Sequence, residues 1–125
     1  PYLADSDQPA LEISGIIGLS GKAIGTVVLS LGEPVALKVT AAMLGETPPE
    51  MNGDVVDTIG ELTNMIAGSA KAQLEHLAMS VSLPSVIMGS NQRVAFPGDI
   101  RPIVIPFESV WGPVRLEVGL REQTT

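Results

Sequence analysis

Apolar residues recur at two different spacings along the chain, and these divide it into strands and helices. From Leu11 to Leu31 two short apolar runs flank a polar tip. Ile13, Ile16, Ile17 and Leu19 make the first run, Ser20-Gly21-Lys22 the tip, and Ile24, Val27, Val28, Leu29 and Leu31 the second. This is a β-hairpin pattern. Glu33-Pro34 then suits the start of a helix, because a proline in the first turn forfeits no intrahelical hydrogen bond. That helix carries Val35, Leu37, Val39, Met43 and Leu44, and ends at Gly45 before the breaker Thr47-Pro48-Pro49.

A longer helix is predicted from Asp54 to Leu77, with Asn52 or Asp54 as N-cap and acidic residues in its first turns, where they complement the helix dipole. At about 100° per residue, Val55, Ile59, Leu62, Ile66, Ala70 and Leu77 gather on one side, flanked by Val56, Ala67 and Leu74. That side is the predicted core face. Beyond the helix, Met79, Val81 and Leu83 alternate with Ser80 and Ser82, the pattern of a strand with one buried face. Pro84 marks that strand as an edge or a bulge. Residues 89–100 read as a loop. A second hairpin, Ile103–Phe107 and Val114–Leu120, turns near Trp111-Gly112-Pro113. Residues 1–10 are polar and turn-rich.

The two hairpins resemble each other. Ile16, Gly25, Val27, Leu29 and Leu31 align at one constant offset with Ile103, Gly112, Val114, Leu116 and Val118. A long helix and a strand precede the second hairpin. The repeat therefore predicts a helix before the first, upstream of Pro1.

At 125 residues the chain is read as one domain, 1–125, with 45% hydrophobic and 17% charged residues, a composition that supports a packed core. Its formal charge of -7 disfavours nucleic acid and anionic membrane as partners, and no apolar run reaches bilayer length. The absence of cysteine removes thiol nucleophiles and thiolate metal sites. With no secretory signal in view, the expected compartment is the cytoplasm.

Candidate chemistry lies on the outward face of the long helix, which carries Asp57, Glu61, Asn64, Met65, Gly68, Ala72 and Glu75. Glu61 and Asn64 are three apart, hence neighbours on the helix surface. Gly60 and Gly68 each cost about 1 kcal/mol relative to alanine inside a helix. Gly60 is read as room for helix packing. Gly68, one turn beyond the Glu/Asn pair, opens space for a visiting backbone. Met65 adds an apolar contact. The face is built to receive a partner. The pair alone is a common surface pattern, and Asp57 with Glu61 supplies too few oxygens for a metal site. Other signals are weaker. Gly21-Lys22 lacks the glycine and hydroxyl of a phosphate-binding loop and reads as a hairpin turn. His76 lies roughly 22 Å along the helix from Glu61, at 1.5 Å per residue, and reads as a surface residue. Trp111 reads as packing at a hairpin tip.

The run Asp57-Thr58-Ile59-Gly60-Glu61-Leu62-Thr63-Asn64-Met65-Ile66-Ala67-Gly68-Ser69-Ala70-Lys71 resembles the phosphatase helix of the CheX/CheC/FliY group. Glu61, Asn64 and Gly68 match that family's Glu-x-x-Asn and the small residue one turn on. Gly15–Gly21, Met43–Glu46, Leu83–Val86 and Val104–Phe107 extend the likeness over most of the chain. A single Glu-x-x-Asn is similar to CheX; CheC carries two. Family members open with an N-terminal helix that residues 1–10 do not supply, in line with the helix the repeat predicts.

The resemblance implies an α+β fold, a largely antiparallel β-sheet with packed helices, one of them long and carrying the motif. It implies hydrolysis of the aspartyl phosphate of a CheY-like receiver domain, with Asn64 orienting the attacking water and Glu61 pairing with the receiver's lysine. Asp57, Met65 and Gly68 would contact the partner. Mg²⁺ is expected in the receiver, with no cofactor bound by this chain, and a homodimer is expected. Two non-catalytic uses of the fold compete: a flagellar-switch-like scaffold, and a receiver-binding regulator. The scaffold would not need the Glu/Asn pair, so its presence favours the enzyme.

Overall fold

The computed structural model describes residues 2–3, 11–46, 48–73, 75–89, 96, 100 and 102–122. Its strands are β1 (Tyr2–Leu3), β2 (Ile13–Ser20), β3 (Ala23–Leu31), β4 (Ser80–Val81), β5 (Ser85–Met88), β6 (Ile103–Ser109) and β7 (Gly112–Glu122); its helices are α1 (Glu33–Leu44) and α2 (Gly53–Gln73). The seven strands form one antiparallel sheet in the order β1-β6-β7-β3-β2-β4, with β5 also paired to β2. This is the α+β architecture expected.

Alternation along the strands gives the sheet two faces. Ile13, Ile17 and Leu19 of β2 and Val27, Leu29 and Leu31 of β3 pack into the core with α1 and α2. Ile16, expected beside them, falls on the opposite face and is half-buried. There Ser14 and Ser30, opposite each other in the ladder, share a buried 2.8 Å hydrogen bond. Glu117 also points that way, 3.5 Å from Arg115 Nε. Burial pushes its carboxyl pKa up, and the Arg115 charge only partly opposes this.

The helix ends follow local chemistry. α1 has Pro34 in its first turn and stops at Gly45, whose φ of 85° is left-handed and whose N–H donates to Ala41 O at 2.8 Å. Of the two predicted N-caps for α2, Asn52 is the one used. Its Oδ1 accepts from Asp54 N at 3.0 Å and Val55 N at 3.3 Å.

Four expectations need correction. The long helix does not run to Leu77: α2 ends at Gln73, and Glu75–Leu77 form a 3₁₀ turn before Ala78, which has a φ of 46°. The predicted strand over 79–83 shortens to β4, and a separate strand, β5, follows beyond Pro84. β4 and β5 both pair with β2, and Pro84 breaks the ladder between them because it has no N–H to donate. Leu83, expected to share a buried face with Met79, is 89% exposed, whereas Met79 is buried. The repeat holds only in part. Leu29 pairs with Leu116, and Val27 and Leu31 pair with Val118 and Val114, so β3 and β7 do mirror each other. In the outer strands, however, Ile103 faces Val118 as Ile13 faces Leu31, which makes Ile13 and not Ile16 its counterpart. Of the remaining expectations, Leu74 on the core face, most of the loop over 89–100 and nearly all of 1–10 lie outside the described residues.

Candidate functional site

The site is positioned by how α2 sits on the sheet. Its buried stripe is Val55, Ile59, Thr63 and Ala67, one residue every turn, with Thr58 and Gly60 beside it. Leu62 and Ile66, placed at the centre of the core face by hydrophobicity alone, are half-buried at its margin. The helix is rotated toward Thr63 for two reasons. Thr63 Oγ1 donates to Ile59 O at 2.7 Å, so its hydroxyl is satisfied inside the helix. Gly15 on β2 also leaves a hollow beneath it. A Cβ at Gly15 would overlap Thr63 Oγ1 and lie 2.9 Å from Thr63 Cβ. Neither residue was singled out by the sequence pattern. The available signal was a threonine at i+4 from Ile59, opposite a strand glycine.

With that stripe buried, the opposite face is fixed. Asp57, Glu61, Asn64, Met65, Gly68 and Ala72 are all exposed. Glu61 and Asn64 stand adjacent on the solvent side, and among the described residues neither side chain has a hydrogen-bond or ion-pair partner. Both are available to a second molecule.

Two hollows border this stripe where α2 runs beside the sheet edge. The first, of 280 Å³, is lined by Val56, Asp57, Gly60, Glu61, Pro84 and Val86. One side presents two carboxylates and the other an apolar edge, a combination suited to a cation on an aliphatic stem. The second, of 260 Å³, lies at the C-terminal end of α2 and includes Gly68, Lys71, Ala72 and Met79. A larger hollow of 460 Å³, lined mainly by Leu11, Pro106, Phe107, Pro113 and Val114, sits on the β6–β7 hairpin and shares no residue with the stripe. The β4–β5 edge as a wall of the site was not foreseen, because only the tertiary fold sets Pro84 and Val86 beside Gly60.

The two helix glycines differ in their surroundings. A Cβ at Gly60 would meet Val86 Cγ2 at 3.4 Å, ordinary contact in a closely packed seam. A Cβ at Gly68 would meet nothing within 4 Å. Folding therefore gives no reason for glycine at 68. Gly68→Ala should raise stability by about 0.5–1 kcal/mol, the helix-propensity gain, read as a higher denaturant midpoint with an unchanged slope. A lower midpoint would mean that Gly68 has a structural role in the isolated chain.

The weaker signals resolve simply. Gly21 and Lys22 form the β2–β3 turn. His76 is exposed in the 3₁₀ turn past the end of α2. Trp111, in the β6–β7 turn, remains 39% exposed and is only partly packed. Among the described residues no three His, Asp or Glu side chains gather into a metal site, and no helix is long and apolar enough to cross a membrane.

The sequence profile described as chemotaxis phosphatase CheX matches residues 13–108, which include the whole of α2 and the first hairpin. The chain is 33% identical over 93 residues to the CheY-P phosphatase CheX of Thermotoga maritima, covering 72% of this chain and 60% of that relative's length. It is also similar to a CheC-like superfamily protein from Shewanella sp. PV-4, at 31% identity and a TM-score of 0.86, with 96% of this chain and 80% of that one covered. At 21% identity, the fold alone is shared with the CheX of the CheX–CheY–BeF₃–Mg²⁺ complex from Borrelia burgdorferi, with a TM-score of 0.78 and coverage of 97% and 84%.

Proposed function

Because the chain belongs to the CheX family of chemotaxis phosphatases, we propose that it hydrolyses the aspartyl phosphate of a CheY-like receiver domain, using Asn64 and Glu61. The observation that carries this reading is the free, adjacent Glu61 and Asn64 on the outward stripe of α2. The chain matches only 60% of its Thermotoga relative, so the activity is argued from these side chains and not taken over from that protein.

The chemistry asks little of the chain. An acyl phosphate is already reactive, and its hydrolysis needs mainly a water held in line with the bond that breaks. The Asn64 carboxamide accepts one hydrogen bond from that water and donates another to the phosphoryl oxygens. Water oxygen attacks phosphorus, the bond from phosphorus to the aspartyl oxygen breaks, and inorganic phosphate and free aspartate result. The Glu61 carboxylate pairs with the receiver's active-site lysine in a charge-assisted contact that sets the docking register. Asp57 adds negative charge one turn away. Met65 and Gly68 supply an apolar contact and room for the approaching backbone. Mg²⁺ belongs to the receiver, held by the receiver's own acidic residues. CheX from Borrelia burgdorferi forms a complex with CheY, BeF₃ and Mg²⁺, which supports this class of partner. The reading places the chain in the cytoplasm with its receiver, as a homodimer.

The test is phosphate release from a receiver charged with acetyl phosphate and Mg²⁺. Substoichiometric chain should accelerate release with turnover. Release at the receiver's own rate, with binding intact, would identify a receiver-binding regulator instead.

A further inference from the structure

Leu83 and Val110 are the two large apolar residues that the fold leaves most exposed among those described, and of the two only Leu83 adjoins a residue lining the carboxylate hollow. It sits at the break between β4 and β5, 89% exposed, and gains nothing from burial in the isolated chain. Yet its backbone is held. On its N-terminal side, Ser82 N donates to Gly18 O at 2.9 Å, and Ser82 Oγ accepts from Gly18 N at 2.9 Å. Ser82 Oγ also donates to Leu83 O at 3.1 Å. On its C-terminal side, Pro84 has a ring-fixed φ and lines the hollow that contains Asp57 and Glu61. The chain thus holds a leucine side chain out in water, pinned on both sides, one residue before the proline that walls the carboxylate hollow. Such an apolar knob has little ordering left to lose when a partner covers it.

A single exposed leucine is ordinary on a protein surface. This one is not isolated. Pro84 and Val86 continue from it into the carboxylate hollow, and Met65, 53% exposed, stands next to Asn64 on α2. Apolar side chains therefore border Glu61 from the sheet edge, and Met65 adjoins Asn64 on the helix.

From this we infer that Leu83 is a docking and specificity residue for the phosphorylated receiver, inserting against an apolar patch beside the cation that meets Glu61. The inference rests on the receiver reading of the site. The occupant is a receiver domain because the knob is joined through Pro84 to the acidic hollow: a partner that fits both must present a cation and an apolar surface close together. Leu83 touches no reacting atom, so its contribution is the same in the ground state and the transition state. Its loss should appear in KM and not in kcat.

The test is steady-state dephosphorylation of a charged receiver by wild type, Leu83→Ser and Leu83→Met. Leu83→Ser should raise KM about tenfold, with kcat within about twofold and an unchanged melting temperature, as expected for removing one apolar anchor. Leu83→Met, which keeps the apolar bulk, should stay near wild type. An unchanged KM for Leu83→Ser, a loss confined to kcat, or a change of oligomeric state in sedimentation would overturn the proposal; the last would make a second copy of this chain the occupant. If wild type shows no turnover at all, the catalytic reading fails by itself, and affinity for a beryllofluoride-charged receiver decides the docking role. About tenfold weaker binding by Leu83→Ser would support it. Equal binding, or none by wild type, would overturn it.

Discussion

Asn64→Ala should lower the rate of receiver dephosphorylation by about 100-fold or more, the loss typical when one positioned polar group is removed from a catalytic site. The fold should not suffer. Asn64 is exposed on α2, has no hydrogen-bond partner among the described residues, and is replaced by a better helix former. Binding should change little, because the docking charge of Glu61 and the apolar contacts of Met65 remain. The signature is therefore a fall in kcat at nearly constant KM, the pattern of a contact made only in the transition state. Asn64→Asp sharpens the test. It keeps the shape of the side chain, removes the N–H donor and sets a negative charge against the phosphoryl oxygens, so it should be at least as impaired as the alanine variant. Receiver dephosphorylation at wild-type rate by either variant would remove Asn64 from the mechanism. Unimpaired turnover by both would leave the helix face without its proposed chemistry.

The second large effect is expected from a residue that no functional motif contains. Gly15→Ala should destabilise the chain by about 1–3 kcal/mol, the usual cost of forcing a methyl group into a packed core. For a domain of this size that is a fall in melting temperature of roughly 4–12 °C. The added Cβ would overlap Thr63 Oγ1 and lie 2.9 Å from Thr63 Cβ, atoms fixed close to the α2 backbone that cannot swing aside as the end of a long side chain would. The helix must lift or the strand must sink. Either movement changes the position of Glu61 and Asn64 relative to Pro84 and Val86, so activity should fall together with stability. Thr63→Ala in the Gly15→Ala background removes the overlapping oxygen and should restore part of the loss. Thermal melts of wild type, both single variants and the double variant give the coupling directly. A wild-type melting temperature for Gly15→Ala would show that α2 does not press on β2 at this point.

Local pattern carried much of this protein. Period-two runs around Gly21 and Trp111 yielded both hairpins, because strand and turn chemistry are written within a few neighbouring residues. Gly45 ended α1 and Asn52 began α2 for equally local reasons, a left-handed glycine and a side-chain cap. The outward stripe with Glu61, Asn64, Met65 and Gly68 also followed from helical periodicity. A rotation of the buried face by a fraction of a turn leaves the opposite face exposed.

What the sequence by itself determined, then, was the two hairpins, the two helices, the end of α1, and which side of the long helix carries polar chemistry. These depend on propensity, capping and hydrophobic period, all interactions of short range along the chain. Only the tertiary structure decided that Thr63 and not Leu62 is seated against the sheet, that β4 and β5 form its broken edge, and that Pro84 and Val86 wall the hollow beside Glu61. Each of these depends on the fit between surfaces distant in sequence: a threonine over a strand glycine, a proline that cannot continue a ladder begun with β2. Hydrophobicity along one segment does not contain the shape of the segment it will meet.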